Sequence, residues 1–192
     1  MLRTYLVDSP INYDGSQLSP RWIERQFNLA GDVLVTFPGA CEVKPEYMVD
    51  LEDLQSGSRI AAAQMLHFIG EIFEENPQIE KAVLWQRSLV YVTLELLRNL
   101  CPGVKLIRQG DDLFCEMQGE VRKLSISVAT MSSTSLLFHF GVNISQKGVP
   151  VKAVALEDLK LDPSNLAQLV LQAFQEEYES IKKASLKVRI LE

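Results

Sequence analysis

Histidine and cysteine are scarce in this chain of 192 residues, with two of the first and three of the second. His67 and His139 alone cannot build a metal site without carboxylates at ligand spacing, and no local motif supplies them, so no metal is expected. Cys41, Cys101 and Cys115 form no CxxC pair, which excludes a clustered zinc site and a disulfide framework and leaves reduced thiols. Positive charge is also short: 19 Lys and Arg against 25 Asp and Glu give a net −6. That balance disfavours nonspecific binding to nucleic acid or anionic lipid. No apolar run reaches the roughly 18 residues of a membrane helix. Asp8 and Pro10 interrupt MLRTYLVDSP too early for a signal peptide, so a cytoplasmic protein is expected. Gly and Pro are thinly spread and no repeat is visible, so no linker suggests itself and a single domain over 1–192 is expected.

What is present is a succession of short strands and a few long helices. TYLVD reads as a strand, Ser19 and Pro20 as the start of a short helix, and DVLVTFPG as a second strand ended by Pro38 and Gly39. Residues 59–74 place Met65, Ile69, Ile72 and Phe73 at helical spacing and predict a helix. Within it His67 and Glu71 are read as a surface pair one turn apart. Residues 79–100 predict a second helix, with Ala82, Trp85, Leu89, Val92, Leu96 and Leu100 on one side and Val83, Val90, Leu94 and Leu97 widening the stripe. Strands follow near 104–108, 112–117, 121–129 and 135–144 as an antiparallel meander. Asp162 and Pro163 then open a helix carrying Leu166, Leu169, Val170, Phe174, Tyr178 and Ile181 on one face, and LKVRIL reads as a closing strand. Helices on one face of a mostly antiparallel mixed sheet make an α+β domain.

The meander carries the chemistry. Alternation assigns Leu124, Ile126 and Val128 to the helix side and Lys123, Ser125 and Ser127 to the other. In the next strand His139, Gly141 and Asn143 fall opposite Leu136, Phe138, Phe140 and Val142. Pairing through a turn near Ser132 sets Ser125 across from His139 and Lys123 across from Gly141, where the missing side chain leaves a hollow. Asp112 reaches the same patch, with Arg108 and Asp111 at its rim. The plain alternative is a solvated sheet face on which serine, lysine and asparagine are ordinary residents. Asp14 and Ser16, in the turn YDGSQL, are candidates for the mouth of the pocket, or else only a strand-ending turn. Asp50, Glu52 and Asp53 are read as a solvated helix start.

KPEYMVDLEDL, YDGSQL, RQGDDL, RKLSISVAT, HFGVN and SLKVR, in that order, resemble the family filed as domain of unknown function three-six-six over essentially the whole chain. That family in turn resembles the catalytic domain of biotin protein ligases and lipoate ligases, and more distantly class II aminoacyl-tRNA synthetases. The resemblance implies that Arg108 and Asp112 stand at the two ends of a KWPND-like strand start. It also implies that Lys123 matches the lysine contacting the acyl carboxylate and adenylate phosphate, and that Gly141 and Asn143 keep a GIGINV-like strand. Ile126 and His139 replace glycines of those motifs. The GRGRxG or RRxSGG loop that grips the ligand has no counterpart, and TFPGACEV occupies its position.

The resemblance implies a small-molecule enzyme of acyl-ligase or acyltransferase type, or a non-catalytic small-molecule or carrier-protein binding module on the same fold. Its ligand would bear a carboxylate, acyl or phosphate group, and ATP with magnesium is the candidate cofactor. In the enzymatic reading Lys123 stabilises negative charge, Asp112 orients it and His139 is the acid or base. Arg108, Asp111, Ser125, Ser127, Gly141, Asn143, Asp14 and Ser16 bind substrate. Cys41 and Cys115 are weaker candidates for a nucleophile, Cys115 because its phase turns it to the core. A homodimer through an edge strand is compatible with the pattern.

Overall fold

The computed structural model describes residues 1–189 and Leu191. Among the described residues eight strands and five α-helices follow in the order β1 (Arg3–Leu6), α1 (Trp22–Phe27), β2 (Val33–Glu42), α2 (Leu51–Ser56), β3 (Ala61–Phe73), α3 (Ile79–Leu100), β4 (Lys105–Gln109), β5 (Asp112–Met117), β6 (Glu120–Lys123), β7 (Ser125–Met131), β8 (Ser135–Asn143), α4 (Leu156–Leu159) and α5 (Pro163–Leu186). A five-stranded sheet runs β1-β2-β3-β8-β7, and a three-stranded sheet runs β4-β5-β6. Among the described strands β1 and β2 pair parallel, and the remaining ladders are antiparallel. The long helices α3 and α5 pack together against the large sheet, giving the expected α+β arrangement.

Both long helices occupy the predicted spans, and α5 begins at its predicted cap. Asp162 Oδ2 accepts from the Asn165 backbone N–H at 2.7 Å, with Pro163 in the first turn of α5, a satisfied N-cap. In α3 the buried positions are Ala82, Trp85, Gln86, Leu89, Val90, Thr93, Leu94 and Leu97. The buried stripe is therefore rotated toward Val90, Leu94 and Leu97, leaving Val92 and Leu96 only half-buried.

The largest departure is at 59–74, where strand β3 replaces the predicted helix. It is the central strand and is covered on both sides: Leu66, Phe68 and Ile72 join the core under α3 and α5, whereas Met65 and Ile69 join a second cluster with Tyr13, Ile23, Val33, Val35 and Phe37. A strand buried on both faces reads as one apolar run, and such a run has no period to separate it from a helix. Gly70 fixes the assignment, because a Cβ there would lie 2.1 Å from Phe138 Cζ on the neighbouring strand. His67 and Glu71 are correspondingly buried and not a surface pair. Glu71 accepts from the Arg21 backbone N–H and from Ser135 Oγ, so its charge is hydrogen-bonded.

Three smaller expectations also change. Strand β2 does not end at Pro38 and Gly39 but continues to Glu42 with a register shift after Gly39. There residues 11–13 add hydrogen bonds along its edge, from Ile11 N–H to the Pro38 carbonyl and from Tyr13 N–H to the Ala40 carbonyl. Helix α1 starts at Trp22, after Arg21 in a left-handed conformation, and not at Ser19 and Pro20. At the carboxyl end α5 runs on to Leu186, and Lys187–Arg189 pair with no strand among the described residues, while Ile190 lies outside them.

Candidate functional site

The predicted strand over 121–129 is two strands. At Lys123 the chain leaves the small sheet, and at Ser125 it enters the large one. Leu124 is fully buried at the crossing, with its N–H donating to the Leu113 carbonyl and its own carbonyl accepting from the Asn143 N–H. The break shifts the alternation by one. Ser125 lies opposite Val142, Ile126 opposite Gly141, Ser127 opposite Phe140 and Val128 opposite His139. Directly paired residues share a sheet face, so Ser125 and Ser127 turn toward the helix side, and Ile126 and Val128 turn to the side of His139. The predicted pairing of Ser125 with His139 and of Lys123 with Gly141 is therefore incorrect.

Each serine is used in a joint. Ser125 Oγ accepts from the Leu113 N–H at 2.8 Å, tying β7 to β5. Ser127 Oγ accepts from Gln86 Nε2 of α3 at 2.8 Å and donates to Asp111, whose carboxylate also accepts from Gln86 at 2.9 Å. Asn143 Nδ2 donates to the carbonyls of Lys123 and Val154, both at 3.2 Å. The Lys123 backbone is also bonded on both sides to residues 152–154. These contacts hold the lysine at the junction of the two sheets.

The Lys123 ammonium lies 2.7 Å from Asp112 Oδ2, with the side chains 30% and 22% exposed. The second oxygen, Asp112 Oδ1, is buried and meets no donor among the described residues. Burial raises the Asp112 carboxyl above its ordinary range, aided by Asp111 and Asp53, even though Lys123 pulls the other way. Above this pair a cleft of about 440 Å³ is lined by Asp50, Asp53, Asp111, Asp112, Lys123, Ser125, Ser127, Asn143 and Arg59, together with Cys41, Ile60, Met65 and Ile126. A narrower hollow of about 40 Å³ adjoins it through Asp50, Asp53, Ile60, Ile126 and Ser127. Its other walls are Tyr13, Val43, Tyr47, Met48, Val49, Val128 and His139.

His139 is sealed into the hollow's wall. Its ring stacks on Tyr13 at 3.9 Å between centroids, and Nε2 lies 3.0 Å from His67 Nδ1. Burial keeps the His139 imidazole neutral and lowers the His67 value to about 4. Gly141 opens no hollow beside Lys123. A Cβ there would meet Met65 Cε at 2.8 Å and His139 Cε1 at 3.3 Å, so its vacancy is filled from the protein side.

Several expected binding residues are elsewhere. Arg108 is exposed and donates to the Gly110 carbonyl in its own hairpin turn, away from the cleft lining. Asp14 accepts from the Ser16 backbone and hydroxyl and pairs with Lys44 at 3.0 Å. Neither Asp14 nor Ser16 lines the cleft; the turn supports Tyr47, which approaches within 2.7 Å of where a Gly15 Cβ would stand. Cys115 faces the core as its phase predicts, and burial pushes the Cys41 thiol up to about 12, which removes its thiolate near neutrality. Conversely, Asp50 and Asp53 do more than begin a helix. Asp50 Oδ1 caps α2 through the N–H groups of Glu52 and Asp53, and both aspartates face the cleft. Their DLED spacing was visible in the sequence, but the fold of the segment over the sheet was not.

A family model described as domain of unknown function (DUF366) matches residues 2–189. The chain belongs to the DUF366 family. An uncharacterised protein of Methanocaldococcus jannaschii is 32% identical over 158 residues, covering 80% of this chain and 68% of that one. A protein of unknown function from Pyrococcus horikoshi superposes with a TM-score of 0.93 at 40% identity over the whole of both chains. At lower identity the same fold occurs in a bi-partite lipoate protein ligase from Thermoplasma acidophilum, with a TM-score of 0.60, 14% identity and coverage of 92% and 83%. It occurs again in the biotin protein ligase from Aquifex aeolicus in complex with biotin and ATP, with a TM-score of 0.59, 12% identity and coverage of 93% and 72%. This chain thus shares the biotin and lipoate ligase-like architecture. Among the described residues, no helix is long and apolar enough to cross a membrane.

Proposed function

We propose that this chain binds a small molecule bearing a carboxylate or acyl group over Lys123 and acts on it as an acyltransferase-like enzyme. The observation that carries the reading is the half-buried Lys123–Asp112 pair at the base of a cleft continuous with a largely apolar hollow. The fold it shares with ligases crystallised with biotin supports the same class of ligand. An ammonium has three donors, and Asp112 engages one side of this one, leaving others for a ligand oxygen. A fixed positive charge in a partly desolvated site stabilises negative charge developing on an acyl oxygen more strongly than it would in water. The backbone bonds anchor the base of the side chain, and the 2.7 Å contact with Asp112 holds the ammonium in place before the ligand arrives.

ATP with magnesium, implied by the fold, does not fit this residue set. Arg59 is bound to Glu42 and Lys123 to Asp112, while Asp50, Asp53 and Asp111 add negative charge where a polyphosphate would lie. Among the described residues no cluster of three metal-ligating side chains exists. A second reading, a binding module without turnover, is favoured by one observation: neither buried His139 nor the high-pKa Cys41 offers a ready nucleophile or charged acid near neutrality.

Calorimetric titration of a carboxylic acid series, biotin and lipoate into wild type and Lys123→Ala tests the ligand claim. At least one carboxylate is expected to bind wild type and to lose about tenfold or more in the variant. Equal affinities would refute the role of Lys123. Acyl transfer from a thioester of the best acid, followed by free-thiol release, separates enzyme from binding module.

A further inference from the structure

The electrostatics of the cleft narrow its ligand. Lys123 is neutralised by Asp112 and Arg59 by Glu42, so the remaining wall charges are Asp50, Asp53 and Asp111. None of these three is in an ion pair among the described residues, and Asp111 is bonded only to the neutral Gln86 and Ser127. Their proximity to the pair is independently marked, because both Asp53 and Asp111 act on Asp112 in the direction that favours its protonation. A simple anion entering here gains Lys123 and is repelled by three carboxylates. These three do not form part of any metal-competent cluster among the described residues, so a bound divalent ion is not the obvious compensation.

The second observation is the hollow. Its walls include Val43, Ile60, Ile126, Val128 and His139, with Asp50, Asp53 and Ser127 on the side it shares with the cleft; His139 is only 3% exposed, and its side-chain hydrogen bond among the described residues is made by Nε2. Its volume of about 40 Å³ is room for about three water-sized groups.

We propose that the ligand is a small zwitterion: its carboxylate on Lys123, an ammonium group facing Asp53 and Asp111, and a short apolar end of about three heavy atoms in the hollow. This rests on the Lys123 reading above and deepens it. One ligand then satisfies all three features. The carboxylate takes the free donors of the lysine, and the ammonium offsets the unpaired acids. The short apolar end matches the small volume of the hollow beside the cleft. Because burial keeps His139 neutral, the hollow adds no positive charge to oppose the ammonium.

Valine, isovalerate and isobutylamine form a matched set with the same branched end and with both charges, only the carboxylate, or only the amine. Calorimetry with each, and with isovalerate in the presence of magnesium chloride, reads the inference. Valine is expected to bind wild type at least tenfold tighter than either analogue. Asp53→Asn is expected to reduce the valine preference over isovalerate to less than threefold without weakening isovalerate, and Asp111→Asn provides a second arm. Isovalerate binding as tightly as valine, or becoming so with magnesium, overturns the zwitterion while leaving Lys123 as the carboxylate site. Binding of long acids but none of the three small probes overturns the short apolar end. Failure of every carboxylate to bind overturns both this inference and the reading on which it rests.

Discussion

Two titratable pairs border the cavity, and burial gives them opposite parts. Lys123–Asp112 sits where two sheets meet, half-open, and keeps its ionic contact. His67–His139 lies on the far side of the hollow, packed against Tyr13 and Phe37 in the sheet's second core, where burial drives both rings neutral. The first pair is accessible but weakly stabilising, because partly exposed ion pairs contribute about 1 kcal/mol or less. The second is inaccessible but tightly coupled to folding. Binding therefore belongs with the lysine, and stability with the histidines.

The sharpest way to break this contrast is acid titration of stability. His67 prefers the neutral form when folded, so the folded state resists protonation that the unfolded chain accepts. Stability is at its full value above about pH 6.5 and falls as pH drops toward 4. The histidine contributes a loss of about 3 kcal/mol across that window. Denaturant melts of wild type and His67→Gln at several pH values should show the slope in the first and a shallower one in the second, where buried His139 alone resists protonation. An unchanged slope in His67→Gln would remove the titrating role given to the closed pair.

Next in size, Lys123→Ala should cost about 1.4–3 kcal/mol in ligand affinity. Its unfolding free energy should change by no more than about 1 kcal/mol. Parallel losses in both would mean that the open pair is structural. Ser127→Ala removes the hydroxyl shared by Asp111 and Gln86 and should lower stability by about 1–2 kcal/mol, measured by urea unfolding. The smallest effect is expected at Asp50→Ala, about 1 kcal/mol from the lost cap, read locally as faster hydrogen exchange at the Glu52 and Asp53 amides.

How much of this was legible in the sequence depended on local signals. Helices α3 and α5 could be read because amphipathic periodicity and capping residues announce themselves along the chain. Strand β5 and the involvement of Lys123 with Asp112 were also legible, the second from motif order. Strand β3 was not, since burial on both faces erases its two-residue alternation. The phase of Ser125 and Ser127 was lost at Leu124, where a single residue crossing between sheets inverts the assignments along β7 while those along β8 stand. Asp50 and Asp53 looked like a helix start, which they are. Their second role arises from the folding of residues 43–60 over the large sheet, a long-range arrangement with no local mark. Arg108 fails for the converse reason: a motif position aligned it with a site from which its hairpin turn diverts it.

The central claim is that a ligand carboxylate rests on the Lys123 ammonium. A crystal structure of the protein soaked with its tightest-binding carboxylic acid tests it most directly. The account predicts a carboxylate oxygen within about 3.2 Å of Lys123 Nζ and the apolar end directed toward Tyr13 and Val128. An acid bound elsewhere, with the Lys123–Asp112 pair untouched, would contradict it.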